Sequence, residues 1–176
     1  MTEQQLIGTI RTVPDFPRKG IMFRDITTLL KDRNAFRSAV DRLYDHYKNR
    51  HIDLIVSVES RGFILGAPLA YNLNAGFVPI RKPGKLPAPT VKQEYALEYG
   101  TDTIEMHSDA IKKGDRVLLH DDLLATGGTI RAAADLVQRL GGEIVGLSFL
   151  IELSFLHGRE RLKEFEVHSV LRYDEE

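Results

Sequence analysis

Apolar residues recur with a helical period in three parts of the chain. Between residues 34 and 50 they fall at spacings of three and four, and residues 130–140 repeat the pattern. Such spacing places the apolar side chains on one face of an amphipathic helix. Asp32 or Asn34 is suited to cap the first helix, and the pair Gly141-Gly142 to end the second. A further helix is predicted over residues 62–73.

Short apolar runs rich in β-branched residues lie between these helices and predict strands. They occupy residues 53–58, 77–80, 116–120, 143–151 and 166–171. Strands that alternate with helices of this length are typical of an α/β fold, here a mostly parallel, doubly wound sheet flanked by helices. Ligands of such folds bind beyond the carboxyl ends of the strands. The acidic pair Asp121-Asp122 and the stretch Glu59-Ser60-Arg61 are both predicted to lie there.

One segment does not follow this alternation. Residues 81–100 read RKPGKLPAPTVKQEYALEYG, with three prolines, two glycines and more basic than acidic side chains. Connections of this length in compact domains usually have a function of their own. We interpret the segment as a basic, mobile flap over an anionic ligand, part of which forms a short antiparallel pair of strands.

Composition narrows the class of protein. The chain has 176 residues, 43% of them apolar and 28% charged, with a formal net charge of -1, which favours a single globular domain without a basic surface for nucleic acid. The sequence contains no cysteine, which excludes disulfides, thiolate nucleophiles and cysteine zinc sites. No secretory signal pattern or apolar stretch of membrane-spanning length is present, so we expect a cytoplasmic protein without membrane partners.

The stretch VLLHDDLLATGGTI, residues 117–130, carries the clearest chemistry. Its segment Ala125-Thr126-Gly127-Gly128-Thr129 precedes a predicted helix, and successive backbone N–H groups at a helix start bind anions such as a monophosphate. The spacing matches neither the GxxxxGK[ST] nor the GxGxxG pattern.

Two carboxylates so close to a phosphate site require a different ligand group. Asp121 and Asp122 could face vicinal sugar hydroxyls or a metal ion, and a ribose 5-phosphate would satisfy the acids and the anion site together. The alternative is that the acids cap an exposed turn and the glycines only bend the chain. His120, which precedes the acids on an apolar strand, is interpreted as a buried packing residue.

Residues 121–129, DDLLATGGT, resemble the phosphoribosyl-pyrophosphate (PRPP) signature of the type I phosphoribosyltransferases. The segments PDFPRKGIMFRDIT, ESRGFILGAPLA, IRKPGKLP and YALEYG are similar to the members of that family that act on adenine. The resemblance covers about residues 14–162. It implies transfer of the phosphoribosyl group from PRPP to adenine with release of AMP and pyrophosphate, dependence on Mg²⁺, and a homodimer.

The resemblance also implies roles for individual residues. Glu98 on the flap is the implied general acid–base residue and Arg61 a catalytic cation, with an implied cis peptide bond between Ser60 and Arg61. Mg²⁺ would be held mainly by PRPP, pyrophosphate and water, with Asp121 or Asp122 as protein candidates. The implied PRPP-binding residues are Asp121, Asp122, Ala125, Thr126, Gly127, Gly128, Thr129, Ser60, Arg61, Arg81, Lys82 and Lys85. The implied adenine-binding residues are Met22, Phe23, Arg24, Leu123 and Leu153, with Glu152 beside the last.

The resemblance further implies one domain with a base-recognition hood, formed by about residues 1–33 and 150–176, and a flap of about residues 81–105. Two alternatives share this fold: transfer to another base, and a PRPP-sensing regulator without catalysis. The segments FRDIT and LEYG favour adenine, and the net charge of -1 gives no basic surface for DNA. A sugar-phosphate-binding module without a reaction would also contain the acids and the anion site.

Overall fold

The computed structural model describes residues 1–96 and 100–175, and its centre is a five-stranded sheet between helices. In chain order the elements are α1 (Glu3–Ile7), β1 (Arg11–Val13), β2 (Phe23–Asp25), α2 (Thr27–Lys31), α3 (Arg33–Tyr47), β3 (Leu54–Val58), α4 (Arg61–Asn72), β4 (Gly76–Ile80), β5 (Thr90–Ala96), β6 (Thr101–His107), β7 (Arg116–Leu124), α5 (Gly128–Arg139), β8 (Glu143–Leu153) and β9 (Val167–Tyr173). Two 3₁₀ helices, Ser154–Leu156 and Gly158–Leu162, connect β8 to β9.

The central sheet has the strand order β4-β3-β7-β8-β9, and every neighbouring pair is parallel. This confirms the predicted doubly wound α/β fold. Because all five strands run in the same direction, their carboxyl ends lie at one edge of the sheet. At this edge, residues 59–61 lead from β3 into α4, and residues 125–129 lead from β7 into α5. None of the helices in the described part of the chain has the length and apolar character needed to span a membrane.

The predicted helices form for the reasons seen in the sequence. Asp32 caps α3, since its carboxylate accepts hydrogen bonds from the backbone N–H groups of Asn34 and Ala35 at 2.8 and 3.0 Å. The buried face of α3 includes Leu43 and Tyr47, where the helix ends, three residues before the predicted end. Burying one such side chain contributes about 1.5–3 kcal/mol.

Both faces of the sheet are covered, which explains the nearly continuous apolar runs in its strands. Adjacent residues of one strand enter different cores: Ile55 and Leu118 pack on the side of α3 and α4, whereas Val56 and Leu119 pack on the side of α5. Alternation of polar and apolar residues therefore does not mark these strands, as is usual in parallel sheets.

The predicted antiparallel pair within the flap is β5 and β6, which pair from Thr90 with His107 to Ala96 with Thr101. The base of this hairpin is anchored, because Ile104 and Met106 are buried in the same core as α5. The strands therefore form a stem attached to the domain. Mobility of the flap remains a prediction, and Glu98 lies outside the described residues.

Strand β7 is longer than predicted. The sequence pattern placed its end at His120, but β7 continues to Leu124 and includes both acids. Its pairing with β3 stops where Ser57 meets His120, whereas its pairing with the longer β8 continues to Leu124 opposite Glu152. The acids can be polar because one side of β7 at this point faces the β3–α4 connection instead of another strand.

Three polar residues cross the centre of the sheet in register. Ser57, His120 and Ser148 lie on the adjacent strands β3, β7 and β8, and all are fully buried. The Ser57 hydroxyl donates to the His120 carbonyl oxygen at 3.0 Å, and His120 Nδ1 lies 3.4 Å from Ser148 Oγ. His120 Nε2 is buried without a hydrogen-bond partner among the described residues. The prediction that His120 is buried is confirmed.

Burial lowers the pKa of His120 to about 4, which predicts a pH dependence of stability. Between pH 6.5 and 4 the unfolded chain binds a proton at this residue and the folded chain does not. The free energy of unfolding therefore decreases as the pH is lowered, by about 1.4 kcal/mol per pH unit. We expect His120→Val to lose roughly 2 kcal/mol less than the wild type between pH 7.5 and 5.0 in urea unfolding. His157→Asn, a substitution at an exposed histidine, is the control and should lose as much stability as the wild type. An equal loss in His120→Val would contradict the prediction.

Candidate active site

The acidic pair on β7 meets the start of α4. Arg61, the first residue of α4, places Nε 2.8 Å from Asp122 Oδ2. The helix approaches β7 closely at the next residue: a Cβ atom added to Gly62 would lie 2.9 Å from Asp121 Oδ1 and 2.9 Å from Ser57 Oγ. Glycine at this position therefore allows the Arg61 guanidinium to reach the acids.

Asp122 is buried, Asp121 is partly buried, and both carboxyl groups have raised pKa values. Burial raises the pKa of Asp121 well above its ordinary value, and the adjacent Asp122 charge raises it further. Burial also raises the pKa of Asp122, against the opposing charge of Arg61. Despite that ion pair, Asp122 Oδ2 accepts no hydrogen bond from any described residue. A buried oxygen of this kind can accept a ligand hydroxyl or bind a cation.

The residues predicted to bind phosphate form one loop, residues 125–129, which we call the anion loop. Together with Asp121, Leu123, Leu124 and Ile130 it lines a cavity of about 80 Å³. Gly127 has a φ of 81° and caps α5, and no side chain in the described part of the chain caps the start of this 12-residue helix. The first N–H groups of α5 therefore face the cavity and suit an anion.

Two glycines bring the anion loop against the second 3₁₀ helix. A Cβ atom on Gly127 would lie 2.7 Å from the Gly158 carbonyl oxygen, and one on Gly158 would lie 2.2 Å from the Ala125 carbonyl oxygen. This contact also brings Arg161 close, with Nη1 3.7 Å from a Cβ position on Gly128. Sequence reasoning missed Arg161, because nothing in the sequence shows that residues 158–162 fold back onto the loop.

Basic residues of the flap lie beside Glu59, which directly follows β3. Arg81 Nε is 2.8 Å from Glu59 Oε2, and Lys85 Nζ is 2.7 Å from Glu59 Oε1. Lys82 forms an ion pair with Asp102 of β6. The predicted cations are thus brought to the edge of the sheet that holds the acids, each with an acidic partner that the sequence analysis did not identify.

The position of the non-proline cis peptide bond was predicted wrongly. It joins Glu59 to Ser60, and not Ser60 to Arg61. Arg61 already belongs to α4, whose regular geometry uses trans peptides, so the unusual bond lies one residue earlier. Ser60 is the residue before α4, and its side chain does not cap the helix.

An aromatic cavity of about 390 Å³ adjoins the acids. It is lined by Val13, Phe16, Phe23, Asp25, Thr27 and Arg61. The rings of Phe16 and Phe23 meet edge to face at 5.0 Å, and the Arg61 guanidinium carbon lies 5.2 Å from the centroid of Phe23. A cavity with aromatic walls suits a flat heterocycle.

Only part of the predicted base-binding set lines this cavity. Phe23 does, but the Arg24 side chain turns to Thr12 at 2.6 Å and lies over the Tyr173 ring. Met22 is exposed, and Leu153 packs against the core on the side of α3 and α4. Leu123 lines the anion-loop cavity. The Glu152 carboxylate binds Arg159 and Ser169.

Four lining residues of the aromatic cavity were missed, namely Val13, Phe16, Asp25 and Thr27. Three of them belong to the segments quoted for the resemblance, but the sequence does not show which way short hood strands turn their side chains. Hydrogen bonds from Arg11 and Thr27 lower the pKa of Asp25 to about 2, so a carboxylate charge faces this cavity.

Comparisons with known proteins agree with this geometry. The family described as Phosphoribosyl transferase domain matches residues 25–174. Adenine phosphoribosyltransferase from Alkaliphilus metalliredigens is 60% identical over 96% of this chain and 99% of its own length. The crystal structure of adenine phosphoribosyltransferase from Thermoanaerobacter pseudethanolicus superposes with a TM-score of 0.95 at 52% identity, covering 98% of this chain and 100% of that one.

A third relative was solved with a ligand. The structure of the Giardia lamblia enzyme complexed with 9-deazaadenine has a TM-score of 0.94 at 39% identity, covering 99% of both chains. High identity over nearly the full length, the same fold and the matched family agree with one another. The chain therefore belongs to the phosphoribosyltransferase family, among the adenine phosphoribosyltransferases.

Proposed function

We propose that the chain transfers the 5-phosphoribosyl group of PRPP to adenine in a Mg²⁺-dependent reaction that yields AMP and pyrophosphate. The observation that carries the proposal is that Arg61 joins three adjoining parts of one site. It pairs with Asp122, it borders the aromatic cavity, and it lies on the sheet edge that holds the anion loop. Phosphate, ribose and base can therefore bind side by side.

The anion loop suits the 5-phosphate of the ribose. Its backbone N–H groups at the start of α5 supply hydrogen-bond donors and the positive end of the helix dipole. Asp121 and Asp122 precede the loop by two residues, Asp121 lines the same cavity, and Asp122 Oδ2 could accept a ribose hydroxyl. The sugar would thus be fixed at both ends while its anomeric carbon stays free to react.

Cations at the sheet edge suit the pyrophosphate leaving group. Arg61, Arg81, Lys82 and Lys85 would supply positive charge to the negative charge that develops as the bond to the anomeric carbon breaks. The carboxylate pair fits Mg²⁺, which prefers carboxylate, phosphate and water oxygens. Mg²⁺ bound there with the pyrophosphate would supply further positive charge to the leaving group. Asp121 or Asp122 would hold it, directly or through water.

The base would bind in the aromatic cavity, where Phe16 and Phe23 can pack against a purine. We propose Glu98 as the residue that exchanges a proton with the base. Glu98 itself is not described, but β5 ends near the site, since the Ala96 carbonyl oxygen lies 3.6 Å from a Cβ position on Gly128. A carboxylate two residues further along the flap could then reach a base beside the ribose.

We also propose a homodimer in the cytoplasm. The outer face of α4 exposes apolar surface: Tyr71 is 86% exposed and Ile64 42%. A second copy of the chain would cover this surface. The absence of cysteine from the sequence suits a reducing compartment.

The function is tested by AMP formation from adenine and PRPP with purified protein. We expect AMP and pyrophosphate in equal amounts with Mg²⁺, and little or no turnover when EDTA removes it. Guanine and hypoxanthine in place of adenine should give much lower kcat/KM. Faster turnover of either would refute the adenine proposal, and unchanged turnover in EDTA would refute the Mg²⁺ proposal.

Glu98→Gln should lower kcat about a hundredfold or more, because general acid–base catalysis typically contributes 10²–10⁴-fold. The affinity for PRPP should stay close to that of the wild type, since the flap carboxylate acts on the base. Glu94→Gln, an exposed glutamate of the same hairpin, is the matched control and should leave kcat unchanged. Full activity of Glu98→Gln in steady-state assays would remove this residue from the mechanism.

Gly127→Ala should raise the KM for PRPP roughly tenfold, because its Cβ meets the Gly158 carbonyl oxygen and displaces the anion loop. Gly114→Ala is the matched control: its φ of 88° is equally left-handed, but a Cβ there has no atom within 4 Å. Both variants should lose about 1 kcal/mol of stability from backbone strain, and Gly127→Ala should lose more because its Cβ also meets a backbone carbonyl oxygen. Kinetics and thermal unfolding measure the two effects separately. An equal KM for PRPP in the two variants would contradict the prediction that the Cβ contact with Gly158 displaces the anion loop.

A further inference from the structure

Glu59 is a buried carboxylate between two cations. Its side chain is 8% exposed and accepts hydrogen bonds from Arg81 Nε at 2.8 Å and from Lys85 Nζ at 2.7 Å. Burial raises the pKa of Glu59, but the hydrogen bonds from Lys85 and Arg81 outweigh that effect and lower it below its ordinary value. The carboxylate is therefore ionised at neutral pH, with each oxygen bound to a different cation.

Regular structure fixes Glu59 and Arg81. The Glu59 N–H donates to the Ile80 carbonyl oxygen at 2.9 Å, which extends the pairing of β3 with β4. Arg81 directly follows β4 and exchanges two backbone hydrogen bonds with Glu105 of β6, at 2.9 and 2.8 Å. Lys85 instead lies on the connection between β4 and β5. The Glu59 carboxylate thus ties a loop lysine to the rigid edge of the sheet.

The two cations keep donors free for a ligand. Arg81 contacts Glu59 through Nε, and its two terminal nitrogens make no hydrogen bond to any described residue. Its side chain is 35% exposed. The Lys85 side chain is 49% exposed, and an ammonium group has three donors, of which Glu59 takes one. Glu59 therefore holds the inner side of each cation while its outer donors face solvent.

We propose that Glu59 is a positioning residue that holds Arg81 and Lys85 in place to bind the pyrophosphate group of PRPP. The proposal rests on the function proposed above and adds a residue that does not itself touch the substrate. Long basic side chains lose conformational freedom when they bind a ligand, and a fixed carboxylate imposes that order in advance. The opposite role is a counter-ion that a polyphosphate must displace, and the two roles predict opposite effects of removing the charge.

The test is Glu59→Gln, which keeps the shape of the side chain but places an N–H₂ group against one of the cations. We expect the Kd for pyrophosphate with Mg²⁺ and the KM for PRPP to rise about tenfold, since two charge-assisted hydrogen bonds are weakened. The Kd for ribose 5-phosphate and the KM for adenine should stay within twofold of the wild type, because neither ligand carries a pyrophosphate group. Calorimetry and steady-state kinetics give these values.

Glu105→Gln is the matched control. Glu105 is a second buried carboxylate at the base of the flap, 3% exposed, and it binds Lys92 and the Gly84 N–H instead of Arg81 and Lys85 side chains. Its substitution should leave the pyrophosphate affinity within twofold. In a Lys85→Met background, Glu59→Gln should weaken pyrophosphate binding less than in the wild type, because one of the two cations it positions is then missing.

The outcomes separate the possibilities. Tighter or unchanged pyrophosphate binding in Glu59→Gln would overturn the proposal, as would an equal loss of ribose 5-phosphate binding. If Glu59→Gln does not fold, Glu59→Asp keeps the charge but shortens its reach; a selective loss of pyrophosphate affinity supports the proposal and no loss overturns it. A wild-type protein that forms no AMP from adenine and PRPP would instead refute the function on which the proposal rests.

Discussion

The ion pair between Arg61 and Asp122 is the contact through which the parts of the site are joined. It depends on a carboxylate pair, which is costly to ionise, and on a helix start that brings a guanidinium to within 2.8 Å. That approach requires Gly62, because any side chain there would meet Asp121. Phe23 packs beneath the same guanidinium, so the regions proposed for ribose, base and leaving group meet at one side chain.

Ion pairs of buried acids recur around this contact. The side chains of Glu59, Glu105 and Asp122 are each less than a tenth exposed, and each forms an ion pair with a basic side chain. Such pairs contribute little net stability, since desolvation offsets much of the attraction. Their contribution is geometric, because a fixed carboxylate holds the charged end of a flexible basic side chain in a defined position. Regular structure supplies that fixity: Asp122 lies on β7, Glu59 directly follows β3, and Glu105 lies on β6 of the flap hairpin.

Local patterns revealed the helices and the anion loop, because the spacing of apolar residues and a run of small residues act over a few positions. The acids in β7 were placed wrongly beyond the end of the strand, since pairing with β8 is a long-range property, and their role in binding remains a prediction. The contacts of Phe16, Arg161 and Glu59 were not predicted, for the same reason. Each matters through a partner distant in the chain: Phe23, the anion loop and the flap cations. The resemblance supplied Glu98, which no pattern of charges or spacing would have singled out.

The contact between Gly127 and Gly158 has a consequence for the range of substrates that this scaffold can accept. The backbone of each segment fills the space that a Cβ atom on the other segment would need. The anion loop and the turn that follows β8 are therefore in direct backbone contact. A loop widened for a bulkier anion would push that turn away, and with it the start of β9. Redesign of this enzyme for a different sugar phosphate would have to remodel both segments at once.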